Sequence, residues 1–172
     1  MRNITLIFIF FVSTMTVSPG CEDENILAEL SDNNEVKVFQ ALDRLKDSRD
    51  EQQESIPALI QIINTTESMG LKKKAIKTFG AVSKNDNCLA LRSFLRDKNP
   101  EIVKISIIAV AQCDYALLAE DIRPFLSDPE MRNYAIWCLG QLGETEDVSR
   151  IVPFLNSNGD TGFIAYKALF MF

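Results

Sequence analysis

Asp121–Gly143 reads DIRPFLSDPEMRNYAIWCLGQLG, and this stretch decides the fold. A short apolar segment ends at Leu126, an acidic turn carries Pro129, and a second apolar run closes on Gly143. In the second run Ala135 and Leu139 stand four residues apart, so a small and a large apolar side chain share one helix face. Asp128-Pro129-Glu130 supplies what a helix start requires: a side-chain acceptor at the N-cap, proline at the first helical position, and an acid in the first turn. Glycine at 143 suits a left-handed cap. The stretch predicts two helices joined by a tight turn.

The plan recurs along the chain. The apolar residue closing each first helix falls at Leu30, Ile63, Leu95, Leu126 and Leu155, in steps of 33, 32, 31 and 29. A small residue in each second helix falls at Ala41, Ala75, Ser106, Ala135 and Ala165, in steps of 34, 31, 29 and 30. Four residues after each comes a larger apolar one: Leu45, Phe79, Val110, Leu139 and Leu169. Two registers with one period near thirty identify an internal repeat of helix pairs. Asn99-Pro100-Glu101 repeats the capped turn, Asp32-Asn33-Asn34-Glu35 repeats it without proline, and Asn158-Gly159-Asp160 serves the fifth unit. Gly80 and Gly140 sit near the ends of second helices, where glycine permits close packing. Strand signals are poor, and no Asn-Gly or Asp-Gly joins two alternating runs. The polar interval Asp47–Ser55 reads as a helix end plus connector, because the period continues across it.

Residues 91–104 (LRSFLRDKNPEIVK), 122–143 and 151–169 (IVPFLNSNGDTGFIAYKAL) together resemble the HEAT repeat, in the short bacterial class called HEAT-like or PBS-lyase-like. The resemblance covers about residues 25–172. Units one and two depart from it: the first lacks the glycine after its second helix, and the second has Thr65-Thr66 where Asp-Pro would stand. It implies an all-α, right-handed solenoid of about five antiparallel helix pairs. Second helices would line the concave side, the surface such solenoids use for binding.

Composition narrows the function. The 172 residues suit one domain. The net charge is −6; without the first twenty residues, whose sole charged side chain is Arg2, 17 basic side chains face 24 acidic ones, giving −7. That opposes nucleic-acid binding, which relies on cations meeting phosphates. Histidine is absent, so neither a His-based triad nor a two-His metal site can be built. The family resemblance includes di-iron hydroxylases that need histidine, DNA-acting members that need a basic groove, and bilin lyases, for which likeness at repeat level says nothing about a chromophore. No cofactor and no metal are expected.

Residues 1–20, MRNITLIFIFFVSTMTVSPG, have a signal peptide's layout: Arg2, an apolar run from Ile4 to Val12 interrupted by Thr5, then a small and polar stretch. The run is too short for the roughly 20 residues of a spanning helix. Cleavage after Gly20 would leave Cys21 first, followed by an acidic tether over 21–25. This resembles bacterial lipoprotein signals, with Ser18 where leucine is usual. The expectation is an exported protein in the cell envelope, lipid-anchored through Cys21 to a membrane facing the periplasm or exterior; plain secretion is the alternative. The domain of interest then spans 26–172. Cys88 and Cys113 fall where two antiparallel helices bring them close, so a disulfide and two buried thiols are both open; Cys138 reads as buried core.

On each second helix the residues two before and two after the small one should face outward. They are Phe39 and Asp43, Lys73 and Lys77, Lys104 and Ile108, Asn133 and Trp137, Phe163 and Lys167. The last four pairs form the expected concave binding stripe, although a solvated lysine face and a wedged Trp137 would read the same way. The resulting expectation is a non-catalytic scaffold that binds a protein or peptide on this stripe. The alternative is an enzyme or enzyme-accessory subunit of the lyase-like class, holding a small ligand in the groove. A third reading uses the apolar end Ala168–Phe172 for self-association; in its simpler rival, Phe170 and Phe172 fold back on the last helix pair.

Overall fold

The computed structural model describes residues 25–48 and 50–172. The leader, the tether through Glu24 and the Cys21 attachment point therefore lie outside the described residues. Ten α-helices make up five pairs: α1 (Ile26–Leu30) with α2 (Glu35–Arg44), α3 (Ile56–Thr65) with α4 (Met69–Val82), α5 (Leu91–Phe94) with α6 (Pro100–Cys113), α7 (Ala119–Ile122) with α8 (Arg132–Leu142), and α9 (Thr145–Ile151) with α10 (Asp160–Leu169). Among the described residues there is no strand, and no helix is long and apolar enough to cross a membrane. The architecture is the HEAT-like α-solenoid expected from the repeat.

The repeat's small and large positions make the core. Ala41, Ala75, Ser106, Ala135 and Ala165 are all fully buried, and so are Leu45, Phe79, Val110 and Leu139. Ser106 keeps its hydroxyl satisfied by donating to the Ile102 carbonyl at 2.7 Å, so a polar residue can hold a small-residue position. Leu30, Ile63, Leu95 and Leu126, which close the first helices of the first four pairs, are buried as well. Leu155, their counterpart in the fifth pair, is 38% exposed.

The second helices approach one another closely. A Cβ added at Gly80 would lie 2.6 Å from the backbone of Ala109 on α6, and one at Gly140 would lie 2.8 Å from the Ala168 Cβ on α10. At these points only an alanine methyl stands on one helix and no side chain on the other. Gly143 ends α8 with φ of 68°, the left-handed cap that the sequence suggests.

The first-helix layer is held differently. Arg92 on α5 donates to Asp121 on α7 at 2.7 Å. Arg123 donates to both carboxylate oxygens of Asp147 on α9, at 2.7 and 3.3 Å. Asp147 is fully buried, so its charge depends on that bidentate pair and on Arg150 at 3.4 Å.

Three local features differ from the sequence-based expectation. The first helices of the fourth and fifth pairs change to 3-10 geometry over Arg123–Ser127 and Val152–Asn156, each with proline in its first turn. Pro124 and Pro153 have no N–H to continue the α-helical ladder. Asn34 and Asn99 cap as expected, accepting from Val36 N and Glu101 N. Asp128 makes the same bond to Glu130 N at 2.9 Å, yet α8 begins only at Arg132, after a separate turn. Within the polar interval, residues 50–55 form turns with no helix end among them, pinned where Gln53 donates to the Val82 carbonyl at 2.9 Å.

At the C-terminal end the Tyr166 and Phe170 rings pack edge-on with centroids 4.7 Å apart, and Gln141 reaches the Met171 sulfur at 3.1 Å. Phe170 nonetheless stays 73% exposed.

Gly140→Ala should destabilise the domain by about 2 kcal/mol in urea unfolding through overpacking. Gly70→Ala, where an added Cβ meets nothing within 4 Å, should be neutral or slightly stabilising. Equal effects at both sites would remove close helix approach as the cause. Asp147→Ala leaves the Arg123 guanidinium without its buried partner and should cost about 3–5 kcal/mol in the same assay; a loss below 1 kcal/mol would assign the pair no structural role.

Candidate functional site

Four helices of the inner layer, α4, α6, α8 and α10, pack successively on one another and leave two adjoining hollows on their outward side. The first, of about 400 Å³, is lined by Lys73, Lys74, Lys77, Glu101, Lys104, Ile105, Ile108 and Tyr134. The second, of about 510 Å³, is lined by Ile108, Glu130, Asn133, Tyr134, Trp137 and Ile164. Ile108 and Tyr134 border both, so the hollows form one groove with a cationic end and an aromatic, aliphatic end.

The stripe read from the sequence maps onto this groove in part. Lys73, Lys77, Lys104, Ile108, Asn133 and Trp137 line it. Phe163 and Lys167 lie outside both hollows, with the Lys167 ammonium 5.6 Å from the Phe163 ring centroid. Phe39 and Asp43 also stand outside, and both engage Lys74: its ammonium lies 5.1 Å above the Phe39 ring and is ion-paired to Asp43. Lys74 and then Lys46 hold the Asp43 carboxyl below its ordinary range.

Lys74, Ile105, Tyr134 and Ile164 were not part of that stripe, and all four occupy the position just before the small residue. Glu101 and Glu130 lie five before it. At 3.6 residues per turn, positions five, two and one before the small residue and two after it fall within about 100° of arc. A helical wheel wider than the strict back face would have found all of them but Glu130, which precedes α8.

The lysines differ in their electrostatic surroundings. Glu101 bridges two helices, with one oxygen 3.7 Å from Lys73 Nζ on α4 and the other 3.3 Å from Lys104 Nζ on α6. Lys74 is turned toward Asp43. Lys77 makes no ion pair among the described residues. At the other end Thr161 donates to Asn133 Oδ1 at 2.8 Å, which fixes the amide. Trp137 is half-buried against the core and also offers surface to the groove.

No His, Cys, Ser or Thr lines either hollow. Among the described residues no group of His, Cys, Asp and Glu is placed to hold a metal. The groove can therefore provide charge, hydrogen bonds and a flat apolar wall. The cysteines lie elsewhere: Cys88, Cys113 and Cys138 are buried free thiols. Cys88 Sγ sits 4.0 Å from the Cys113 carbonyl oxygen, so the two chain segments do meet. Donation of the Cys113 S–H to the Cys88 sulfur, and then burial, push the Cys113 thiol far up; burial alone does so for Cys138. Such thiols are poor nucleophiles.

No family model and no curated protein matches the chain in sequence. Among solved structures it is similar to the complex of CpcE and CpcF of phycocyanin lyase from Nostoc sp. PCC7120, with a TM-score of 0.71 and 16% identity, covering 97% of this chain and 70% of that one. At this identity the likeness is one of fold. It corrects one expectation. The solenoid it resembles belongs to a phycocyanin lyase, which counts against the purely non-catalytic scaffold expected from the missing catalytic residues.

Proposed function

We propose that this chain is an enzyme-accessory subunit of the lyase-like solenoid class, which holds a small amphipathic anion in the groove along α4, α6, α8 and α10. The observation that carries the reading is the groove's polarity: lysines from α4 and α6 at one end, Tyr134, Trp137 and Ile164 at the other. A ligand with a flat conjugated body and carboxylates would place its apolar part on Trp137 and Tyr134 and its charge on Lys77. Ammonium–carboxylate contacts and aromatic burial would each contribute, and neither requires a catalytic group on this chain. The lining holds no histidine, cysteine, serine or threonine, and in this reading bond-making falls to a second protein chain. The solved neighbour is itself a two-protein complex, which supports a partnered subunit.

The probe chosen is biliverdin, an open-chain tetrapyrrole with two carboxylates. Trp137 is the chain's only tryptophan and reports directly on the groove. Titration should quench its fluorescence saturably, and Lys77→Glu should weaken binding by about tenfold, or 1.4 kcal/mol, at unchanged helical circular dichroism. Absence of saturable quenching, or quenching indifferent to Lys77→Glu, would refute the proposal.

The cellular address is a separate proposal, resting on residues 1–20 and Cys21. Mass spectrometry of the membrane-associated protein should find Cys21 at the N-terminus with added acyl mass, and Cys21→Ser should release the protein from membranes. A mature N-terminus at any other residue would overturn it.

A further inference from the structure

We infer that Glu101 is a resident counter-anion which sets how many negative groups the groove accepts. The inference rests on the anion-binding reading above and adds to it a residue with a defined role. Four lysines line the cationic hollow, but they are not equivalent. Lys74 is 18% exposed at its side chain, ion-paired to Asp43 and stacked over Phe39, so the fold already uses its charge. Lys77 is exposed and has no carboxylate partner among the described residues. Lys73 and Lys104 share Glu101, one on each carboxylate oxygen, at 3.7 and 3.3 Å.

Glu101 is well placed to be displaced. Its side chain is 54% exposed, and exposed ion pairs are weak because water solvates both partners. It stands in the first turn of α6, directly after Pro100, where the helix dipole gives it a second source of stabilisation when it leaves the lysines. Lys77 lies one turn beyond Lys73 on the same face of α4, an axial step of about 6 Å. A ligand's first negative group meets Lys77 without competition. A second group, one helical turn away, meets Lys73 and Lys104 only by replacing the Glu101 carboxylate. The groove is thereby tuned to distinguish one anionic group from two, with Glu101 as the specificity-determining residue.

Glu130 provides the internal control. It lines the neighbouring hollow and carries the same charge, yet it forms no ion pair with any lysine among the described residues. If Glu101 acts by occupying the lysines, removing its charge will matter far more than removing that of Glu130. If only the overall field matters, the two changes will be equal.

The test titrates wild type, E101Q and E130Q with biliverdin and with its dimethyl ester, reading Trp137 fluorescence at fixed low salt, with circular dichroism as the fold check. E101Q is expected to tighten the dicarboxylate five- to tenfold and leave the ester within twofold, while E130Q shifts the dicarboxylate by less than threefold. Saturable binding to wild type with E101Q and E130Q giving the same shift, or with no shift in E101Q, overturns the role of Glu101 and leaves the groove proposal standing. Failure of both probes to bind any of the three proteins overturns the groove proposal and this inference together.

Discussion

Backbone-to-backbone approach of successive second helices is the constraint on which the rest of the structure depends. Gly80 against Ala109 and Gly140 against Ala168 bring helices together where even one added carbon would collide. The same register in the other units holds Thr78 beside the Leu42 carbonyl, at 3.4 Å, so small side chains recur wherever two second helices meet. The first-helix layer is joined by long Arg92–Asp121 and Arg123–Asp147 pairs instead of by small residues. Small residues in one layer and long ion-paired side chains in the other divide the two faces of the stack.

That division also explains why the inner face carries the groove. Large side chains cannot point between the second helices, so they are confined to the arc facing away from the small residues. Lys73, Lys77, Lys104, Ile108, Tyr134 and Trp137 therefore crowd onto one surface. On a chain with net charge −6 this gathers lysines locally, whereas many of the outer layer's cations are committed to structural pairs. A cationic hollow on an acidic body concentrates the field toward small anions and leaves the whole protein repelled by polyanions.

The repeat was readable in the sequence because its periodic positions are those with the strictest steric demand. Ala41, Ala75, Ser106, Ala135 and Ala165 admit little variation, and all five prove fully buried. Asn34 and Asn99 could be read as caps because capping is a contact between near neighbours in the chain. What escaped the sequence involves partners about thirty residues apart. Glu101 meets Lys73, Asp43 meets Lys74, and Thr161 meets Asn133, each across a unit boundary whose rotation no local pattern specifies. The groove's width escaped for a simpler reason: a strict back-face criterion excludes the residue immediately before the small one, and Tyr134 stands there. Likewise, Pro124 and Pro153 mark a break in the first helices without stating that it would be filled by 3-10 turns.

The absence of histidine and of an activated nucleophile from the groove bears differently on binding and on catalysis. A site that performs a lyase step alone needs a group that changes protonation near neutral pH or attacks an electrophile. The lining offers lysines, carboxylates, a phenol, an indole, an amide and aliphatic carbons, while the three described thiols are buried outside it. These groups can hold and orient an anion, and orientation alone can account for much of a rate enhancement when a partner supplies the reacting group. A solenoid suits that division of labour: its regular spacing sets the distance between Lys77 and Trp137 without any catalytic loop, and its open groove leaves one side of a bound ligand accessible to a second chain.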